Sequence, residues 1–172
     1  MNSIIEYINA YPGTQSEMDI PVYYWFLEGL GRTYSSMIEV GCRNGAGSAC
    51  FLMGGGVEAY GIDTNPQIPD LAKIGKGFTL HRTHSTDPAL KAVIPDCDIV
   101  FIDADHEYAS VRADYEFWRS KAKCLMLFDD VLHPDLGTSR FWRELDVPNK
   151  FTYPHLHPGR WGFGAIFLEG AK

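Results

Sequence analysis

Acidic side chains are concentrated directly after two apolar runs of the sequence. One run ends at Asp103, and a second ends at Asp129 and Asp130. If the two runs are neighbouring strands of one sheet, their carboxyl ends bring the three carboxylates together. Clustered carboxylates repel one another, and a hard divalent cation such as Mg²⁺, Mn²⁺ or Ca²⁺ removes that conflict. The pattern therefore predicts a metal site at Asp103, Asp129 and Asp130.

A glycine-rich turn lies earlier in the chain, between two further apolar segments. The strand predicted over 36–41 leads into a turn that contains Gly45 and Gly47, and a helix and a second strand then lead to Asp63. Asp63 follows Gly41 by 22 residues, the distance at which a carboxylate in such a βαβ unit reaches the hydroxyls of a ribose. This arrangement predicts a site for a nucleoside-bearing cofactor.

The glycine spacing argues against two common nucleotide sites. A dinucleotide fingerprint needs Gly-x-Gly-x-x-Gly, but Arg43 and Ala46 stand where the second and third glycines belong. A phosphate-binding loop of the Gly-x4-Gly-Lys type needs a lysine, and the turn contains none. What remains is an acid inside the strand, Glu39, followed by a turn loose enough for a bulky group rather than a pyrophosphate.

Together, Glu39, the glycine turn and Asp63 resemble the class I S-adenosylmethionine-dependent methyltransferases. The resemblance covers roughly residues 33–170. It implies a Rossmann-like, doubly wound α/β sheet that is mostly parallel and ends in a C-terminal antiparallel hairpin strand. The whole chain, 1–172, is then a single methyltransferase domain, in which residues 1–32 form variable N-terminal helices.

The resemblance also assigns the parts of the cofactor site. The glycines would lie beneath the methionine part of S-adenosylmethionine, the amides that open the next helix would take its carboxylate, and Asp63 would accept the ribose hydroxyls. Glu39 would brace the turn; a core glutamate held by backbone amides is the other interpretation, and the two are compatible. The turn over 84–87 lies where the family contacts adenine, but Thr86 and Asp87 equally suit helix caps. The predicted cofactor-binding residues are Glu39, Gly41, Gly45, Gly47, Ser48, Asp63, Ser85 and Asp103.

Around Asp103 the sequence resembles the catechol-type and the metal-dependent sugar O-methyltransferases. Both place an Asp after the fourth strand, and an Asp or Glu followed by Asp or Asn after the fifth. The sugar enzymes also have a histidine three residues beyond the first Asp, as His106 follows Asp103 here, and in them it is the base that removes the hydroxyl proton. The resemblance implies methyl transfer from S-adenosylmethionine to a small hydroxylated metabolite, a sugar or similar, with His106 and Asp103 as catalytic residues and a divalent cation assisting.

Other interpretations of the same residues stay open. Asp103 or Asp105 can cap the helix that follows, Asp130 can cap a turn before Pro134, and His106 then lies on the surface of a first helical turn. The enzyme can also be metal-independent and use another acceptor. A domain that binds S-adenosylmethionine without turnover is the third alternative.

The elements that must position these residues alternate along the chain. Apolar patterns and glycine or proline breaks predict strands at 36–41, 57–62, 77–82, 98–103, 124–129, 150–153 and 163–168. They predict helices at 20–30 and near 46–53, 67–74, 87–93, 106–120 and 138–145. The uninterrupted apolar runs at 98–103 and 124–129 are typical of central parallel strands buried on both faces.

Several segments outside these motifs also receive a role. Phe141 and Trp142 are expected in the core, and 112–119 as the solvated face of a helix. The aromatic residues over 23–26 surround a helical turn, so some of them must meet substrate, a second subunit or another part of the fold. The loop over 155–161, with two histidines and a tryptophan, is a candidate lining for the substrate pocket.

Composition limits the partners. The net charge of −7 and the pI near 5.3 disfavour nucleic acid, so a small-molecule substrate is expected, and a homo-oligomer is compatible with the sequence. Four cysteines without a paired spacing favour a reduced, cytoplasmic setting. We find no signal sequence or membrane-spanning run and therefore predict a soluble protein.

Overall fold

The computed structural model describes residues 20–68, 74–154 and 162–168. Its helices are α1 (Ile20–Gly31), α2 (Ala46–Gly54), α3 (Pro88–Val93), α4 (Tyr108–Trp118) and α5 (Gly137–Glu144). Its strands are β1 (Ser36–Val40), β2 (Glu58–Asp63), β3 (Phe78–Arg82), β4 (Cys97–Ile102), β5 (Ala122–Phe128), β6 (Lys150–Tyr153) and β7 (Phe163–Phe167). None of the described helices is long and apolar enough to cross a bilayer.

The strands form one mixed sheet of seven. Their order is β3-β2-β1-β4-β5-β7-β6, with β1 to β5 parallel and with β7 antiparallel to both of its neighbours. Strand order reverses between β1 and β4, and in open α/β sheets this reversal leaves a crevice at the carboxyl ends of the two strands. The predicted Rossmann-like fold with its antiparallel C-terminal strands is confirmed.

Both faces of the sheet are covered, and alternate residues of the central strands feed two separate apolar clusters. Ile99 and Phe101 of β4 pack toward the face that carries α1 and α2, whereas Val100 and Ile102 pack toward α3, α4 and α5. Burial of each such side chain contributes roughly 1.5–3 kcal/mol. This two-sided burial explains the uninterrupted apolar runs of β4 and β5 and confirms their central position.

The aromatic residues for which the sequence predicts a role lie partly in the core and partly on the surface. Phe141 and Trp142 of α5 are 5% and 3% exposed, which confirms their core role. In α1, Phe26 stacks on Phe163 of β7 with 5.0 Å between ring centroids, while Trp25 is 58% exposed. Phe26 therefore meets another part of the fold, one of the alternatives considered for this segment.

Three predicted segments fall wholly or partly on residues outside the described ranges. Of the N-terminal helices expected over 1–32, residues 1–19 lie outside. The helix expected near 67–74 lies largely in 69–73, and the aromatic loop over 155–161 lies wholly outside. The other predicted elements are present, with ends shifted by up to about two residues, the usual uncertainty of such boundaries.

Candidate cofactor and active site

A cavity of about 470 Å³ opens over the carboxyl ends of β1 to β4. This is the position in which a parallel sheet of this order places a ligand, and the volume suits a small-molecule site. The predicted site residues that line it are Glu39, Gly41, Gly47, Asp63, Ser85, Asp103 and His106. Gly45, Ser48, Asp129 and Asp130 are not part of this lining.

The glycine turn depends on backbone conformations that only glycine adopts without strain. Gly41 and Gly45 have φ angles of 89° and 75°, in the left-handed region. A Cβ on Gly41 would lie 2.3 Å from the carbonyl oxygen of Asp103 and 2.4 Å from Cα of Ala104. The turn after β1 is therefore pressed against the chain that leaves β4.

Glu39 joins β1 to the first turn of α2. Its carboxylate is 3% exposed, and Oε2 accepts hydrogen bonds from the Ser48 amide at 2.9 Å and from Ser48 Oγ at 2.5 Å. A Cβ on Gly47 would lie 2.1 Å from Oε1, so any side chain there would displace the Glu39 carboxylate. Burial raises the pKa of Glu39 to about 7, and the two hydrogen bonds from Ser48 oppose that rise. Glu39 is thus a core glutamate and also a brace for the turn.

The amides at the start of α2 are largely occupied by the protein itself. The Ser48 amide donates to Glu39, and the Ala46 amide donates to Oδ1 of Asn44 at 3.2 Å. Ser48 is also fully buried. In the structure Ser48 is a partner of Glu39, and its assignment as a cofactor contact gains no support.

Asp63, at the end of β2, is held in one orientation by two backbone amides. Oδ2 accepts from the Arg43 amide at 2.8 Å, and Oδ1 accepts from the Asn65 amide at 2.7 Å. Each carboxylate oxygen has a further lone pair, and the residue lines the cavity. The geometry is that of a pre-oriented acceptor for two hydroxyl groups.

The turn between β3 and α3 divides into a cap and a cavity wall. Asp87 accepts hydrogen bonds from the Ala89 amide and from Thr83 Oγ1, both at 2.9 Å, and so caps α3. Ser85 instead faces the cavity, and its hydroxyl donates to Oδ1 of Asp114 at 2.5 Å. Of the two roles left open for Asp87, the structure shows the cap.

Asp114 lines the cavity, although the sequence pattern does not predict it as a site residue. The segment 112–119 was expected to be a solvated helix face, but Asp114 is 2% exposed and lines the cavity. Arg112 and Glu116, which pair across one helical turn at 2.9 Å, are the exposed part. The available signal was the helical spacing of Asp114 with Val111 and Trp118, which places all three on the buried stripe of α4.

Asp105 serves the helix that follows it. Oδ1 accepts from the Glu107 amide at 2.8 Å and Oδ2 accepts from Ser110 Oγ at 3.0 Å. These bonds tie Asp105 to the start of α4, but the N-cap of that helix is Glu107, and no side chain makes the cap hydrogen bond expected of Asp103 or Asp105. His106 lies outside the helix, which begins at Tyr108.

His106 lies between the cavity and the start of α5. Nδ1 is 3.4 Å from Oγ1 of Thr138, and Nε2 is 3.9 Å from Oδ2 of Asp130. The ring is about one third exposed, so it is accessible to a ligand. The arrangement offers an imidazole with a carboxylate near one nitrogen at the edge of the cavity.

The predicted metal site is not assembled. Within the part of the chain that the structure describes, which contains all three predicted ligands, no group of three or more His, Cys, Asp or Glu side chains is placed to hold an ion. Asp103 lines the cavity, but Asp129 and Asp130 do not. The physical reason lies in the backbone: Asp130 has a left-handed φ of 56°, which turns the chain directly after β5 and places its carboxylate near His106. These donors do not fit a divalent cation.

Residues 38–131, more than half of the chain, match the family model described as a methyltransferase domain. A comparison with curated proteins finds no match to the sequence. Solved structures resemble the chain at low sequence identity, which makes the likeness one of fold.

Three of these structures show the range of the resemblance. The O-methyltransferase from Bacillus cereus in complex with SAH is 16% identical, with a TM-score of 0.68 over 96% of this chain and 89% of that one. The O-methyltransferase TomG from Streptomyces achromogenes, involved in tomaymycin synthesis and in complex with SAM, is 18% identical, with a TM-score of 0.70 over 94% and 85%. An rRNA methylase from Streptococcus thermophilus is 14% identical, with a TM-score of 0.58 over 90% and 98%.

Proposed function

The chain belongs to the methyltransferase domain family and is an S-adenosylmethionine-dependent methyltransferase, and from that premise we propose that it methylates an oxygen atom of a small, uncharged hydroxylated molecule such as a sugar. The observation that carries the proposal is the position of His106 at the edge of the cavity that contains Asp63 and the glycine turn. Two of the structural neighbours, from Bacillus cereus and Streptomyces achromogenes, are themselves O-methyltransferases.

S-adenosylmethionine can be placed in the cavity with its methionine part over the glycine turn and its ribose at Asp63. Its methionine part would lie over Gly41 and Gly47, and its ribose hydroxyls would reach the pre-oriented carboxylate of Asp63. On the side of β1 opposite β2, the residue that follows β4, Asp103, lines the same cavity. The methyl group would therefore face the side on which His106 lies.

The charge of the cavity favours a cationic cofactor and disfavours an anionic acceptor. Among the described residues that line it, Arg43 is the one arginine or lysine. The acids of the lining are Asp63, Asp103, Asp105 and Asp114, together with Glu39, whose pKa is raised to about 7 by burial. An excess of one sign in a cleft attracts the opposite charge and repels its own. The sulfonium of S-adenosylmethionine suits this field, whereas a phosphorylated acceptor does not.

In this proposal His106 removes the proton from the acceptor hydroxyl. In the reaction the acceptor oxygen forms a bond to the methyl carbon as the carbon–sulfur bond breaks, and the hydroxyl proton passes to the imidazole. Oδ2 of Asp130 lies 3.9 Å from Nε2, which is too distant for a hydrogen bond. Alignment of oxygen, carbon and sulfur in the cavity supplies the rest. No step runs through a metal ion, because the described donors do not form a site for one.

Titration calorimetry with S-adenosylhomocysteine tests the cofactor assignment. We expect wild type to bind, and Asp63→Asn to bind roughly tenfold to a thousandfold more weakly, because hydrogen bonds to a charged group contribute about 1.5–3 kcal/mol each. Asp87→Asn, which alters a carboxylate outside the cavity lining, is the matched control. Equal affinity in Asp63→Asn and wild type would refute the ribose assignment.

Methyl transfer from labelled S-adenosylmethionine to a panel of neutral sugars and polyols tests the reaction. An O-methyl product, identified by mass spectrometry and NMR, supports the proposal, and His106→Ala should lower kcat by roughly 10²–10⁴-fold with little change in cofactor affinity. His133→Ala, outside the cavity lining, should retain activity. Cofactor binding with no turnover on any acceptor would instead support the non-catalytic alternative.

A further inference from the structure

The start of α5 is packed directly against the backbone that carries His106. The Thr138 amide donates a hydrogen bond to the carbonyl oxygen of His106 at 3.1 Å. A Cβ on Gly137 would collide with the Tyr108 amide nitrogen and with the carbonyl oxygen of His106, so the two stretches of chain are in backbone contact. Thr138 follows His106 by 32 residues. The contact is therefore a product of the tertiary structure.

Side chains further along α5 hold the helix in this position. Phe141 and Trp142 anchor it in the core. The ring of Tyr108 packs against that of Phe141 with 6.1 Å between centroids, and its hydroxyl donates to Oε2 of Glu144 at 2.7 Å. Packing of this kind gives the first turn of α5 a defined position relative to His106, which is what a group that orients a catalytic side chain needs.

Thr138 places a hydroxyl group beside one ring nitrogen of His106. The residue is 2% exposed, and its Oγ1 lies 3.4 Å from Nδ1. This distance is at the long end for a hydrogen bond, and such bonds at active sites commonly shorten when a ligand binds. Nδ1 therefore lies on the side of the ring that meets the protein.

The other ring nitrogen, Nε2, remains open. Its distance of 3.9 Å to Oδ2 of Asp130 exceeds that of a hydrogen bond. In the described chain, the enclosed side-chain atoms without a hydrogen-bond partner are His81 Nε2 and Trp118 Nε1, and Nε2 of His106 is not one of them. Since the ring is about one third exposed, Nε2 is the nitrogen that a hydroxyl group of the acceptor can reach.

A histidine that removes a proton through Nε2 must have the matching tautomer. A neutral imidazole carries one proton, and only its other nitrogen can accept a second. The proton of the neutral ring must then lie on Nδ1, and the hydrogen bond that the ring makes to the protein decides this. A threonine hydroxyl can accept such a bond. The Thr138 hydroxyl is therefore placed to select the tautomer of His106.

We propose that Thr138 is a positioning residue for His106: its Oγ1 accepts a hydrogen bond from Nδ1–H, which orients the ring and leaves the lone pair of Nε2 for the proton of the acceptor hydroxyl. This assignment rests on the proposed function, because it assumes that His106 is the base. Thr138 is not part of the cavity lining, and it acts through His106 alone.

Nitrogen NMR of protein labelled with ¹⁵N-histidine, recorded with and without S-adenosylhomocysteine, tests the tautomer. The signals of His106 are those, among the six histidines, that disappear in His106→Gln. At about pH 8.5, where an ordinary histidine is neutral, we expect a protonated Nδ1 and an unprotonated Nε2 in wild type. Thr138→Ser keeps the hydroxyl and should keep this pattern. Thr138→Val has the same shape without the hydroxyl, so its Nδ1 signal should move toward that of an unprotonated nitrogen.

The kinetics of methyl transfer measure the consequence for the reaction. Thr138→Val should lower kcat roughly three- to tenfold with KM unchanged, because the loss of one neutral hydrogen bond corresponds to a rate change of this size. Thr138→Ser should restore most of kcat. Thr152→Val is the matched control, because it removes the hydroxyl that accepts from Trp142 Nε1 at 2.9 Å. It should keep both the tautomer of His106 and the wild-type kcat.

The outcomes separate this assignment from the proposed function. A wild-type His106 with its proton on Nε2 overturns the role of Thr138, as does an unchanged tautomer in Thr138→Val. An equal loss of kcat in Thr138→Ser and Thr138→Val also overturns it, because serine retains the hydroxyl. Wild type that methylates no acceptor overturns the proposed function, whereas the NMR comparison still decides whether Thr138 holds Nδ1.

Discussion

Glu39 shows how a single residue can link the core of the fold to the glycine turn. Its carboxylate is buried between β1 and α2, with Ser48 as hydrogen-bond donor and Gly47 packed against the other oxygen. Burial raises the pKa of Glu39 from 4.5 to about 7 because it disfavours the ionised form. The buried carboxyl group of Glu39 therefore becomes protonated at a higher pH than that of an exposed glutamate.

The pH dependence of stability should report this burial. In the unfolded chain Glu39 ionises near pH 4.5, while in the folded chain it ionises near pH 7. Its effect on stability is therefore most favourable below pH 4.5, is lost progressively as pH rises to 7, and is constant above that. The Glu39→Gln side chain does not titrate, so the variant does not lose this stability. As the pH increases from 4.5 to 8, the free energy of unfolding of Glu39→Gln should therefore increase by up to about 3 kcal/mol relative to that of wild type.

Urea unfolding at pH 5 and pH 8 measures that difference. Glu58→Gln, which changes an exposed acid on β2, controls for the substitution itself and should stay parallel to wild type. A stability difference between Glu39→Gln and wild type that does not vary with pH would contradict the burial argument.

At the scale of elements, the glycine turn after β1 lies close to the residues that follow β4, and His106 lies a few residues further along the chain. Gly41 lies against the backbone of Asp103 and Ala104, and the Asp103 amide donates to the carbonyl of Val40 at 2.9 Å. Any displacement of the turn therefore displaces the residues that follow β4. This contact is possible because position 41 has no side chain and adopts a positive φ.

Gly41→Ala should destabilise the fold by about 2–4 kcal/mol, because the added methyl group meets backbone atoms and the φ angle is unfavourable. Gly29→Ala in α1 is the matched control: its Cβ would have no neighbour within 4 Å, and alanine in a helix should be neutral or stabilising by up to about 1 kcal/mol. Urea denaturation of both variants measures the contrast. Equal stabilities of Gly41→Ala and Gly29→Ala would mean that the turn is not in close contact with the residues that follow β4.

At the scale of the whole molecule, two apolar layers enclose the cysteines. Cys42, Cys50 and Cys97 are buried free thiols, and Cys124 is half-buried. Burial raises the pKa of Cys97 to about 11 and also raises those of Cys42, Cys50 and Cys124, so Cys124 differs from the other three in its exposure. Thiols that are both enclosed and protonated react slowly.

A disulfide reagent that releases a coloured thiolate should therefore detect about one fast thiol in the native protein and four after denaturation. Cys124→Ser should remove the fast phase. More than one fast thiol in the native state would contradict the burial of Cys42, Cys50 and Cys97.

Local patterns were sufficient to predict most of the architecture. The alternation of strands and helices, the central position of the apolar runs and the antiparallel C-terminal strands follow from hydrophobic periodicity and short connections, which are properties of neighbouring residues. The spacing of Gly41 and Asp63 is equally local, since both belong to one βαβ unit. The single-domain organisation and the oligomeric state stay predictions.

The sequence by itself determined the sheet, the glycine turn and the strand ends that carry Asp63 and Asp103. Only the tertiary structure decided which acids face the cavity: it brought Asp114 in from α4 and directed Asp130 toward His106 instead of toward a metal site. The reason is that sequence patterns indicate where a strand ends, whereas the direction of the next side chain depends on the turn and on packing against distant elements. The position of a carboxylate in this site is therefore set by long-range contacts.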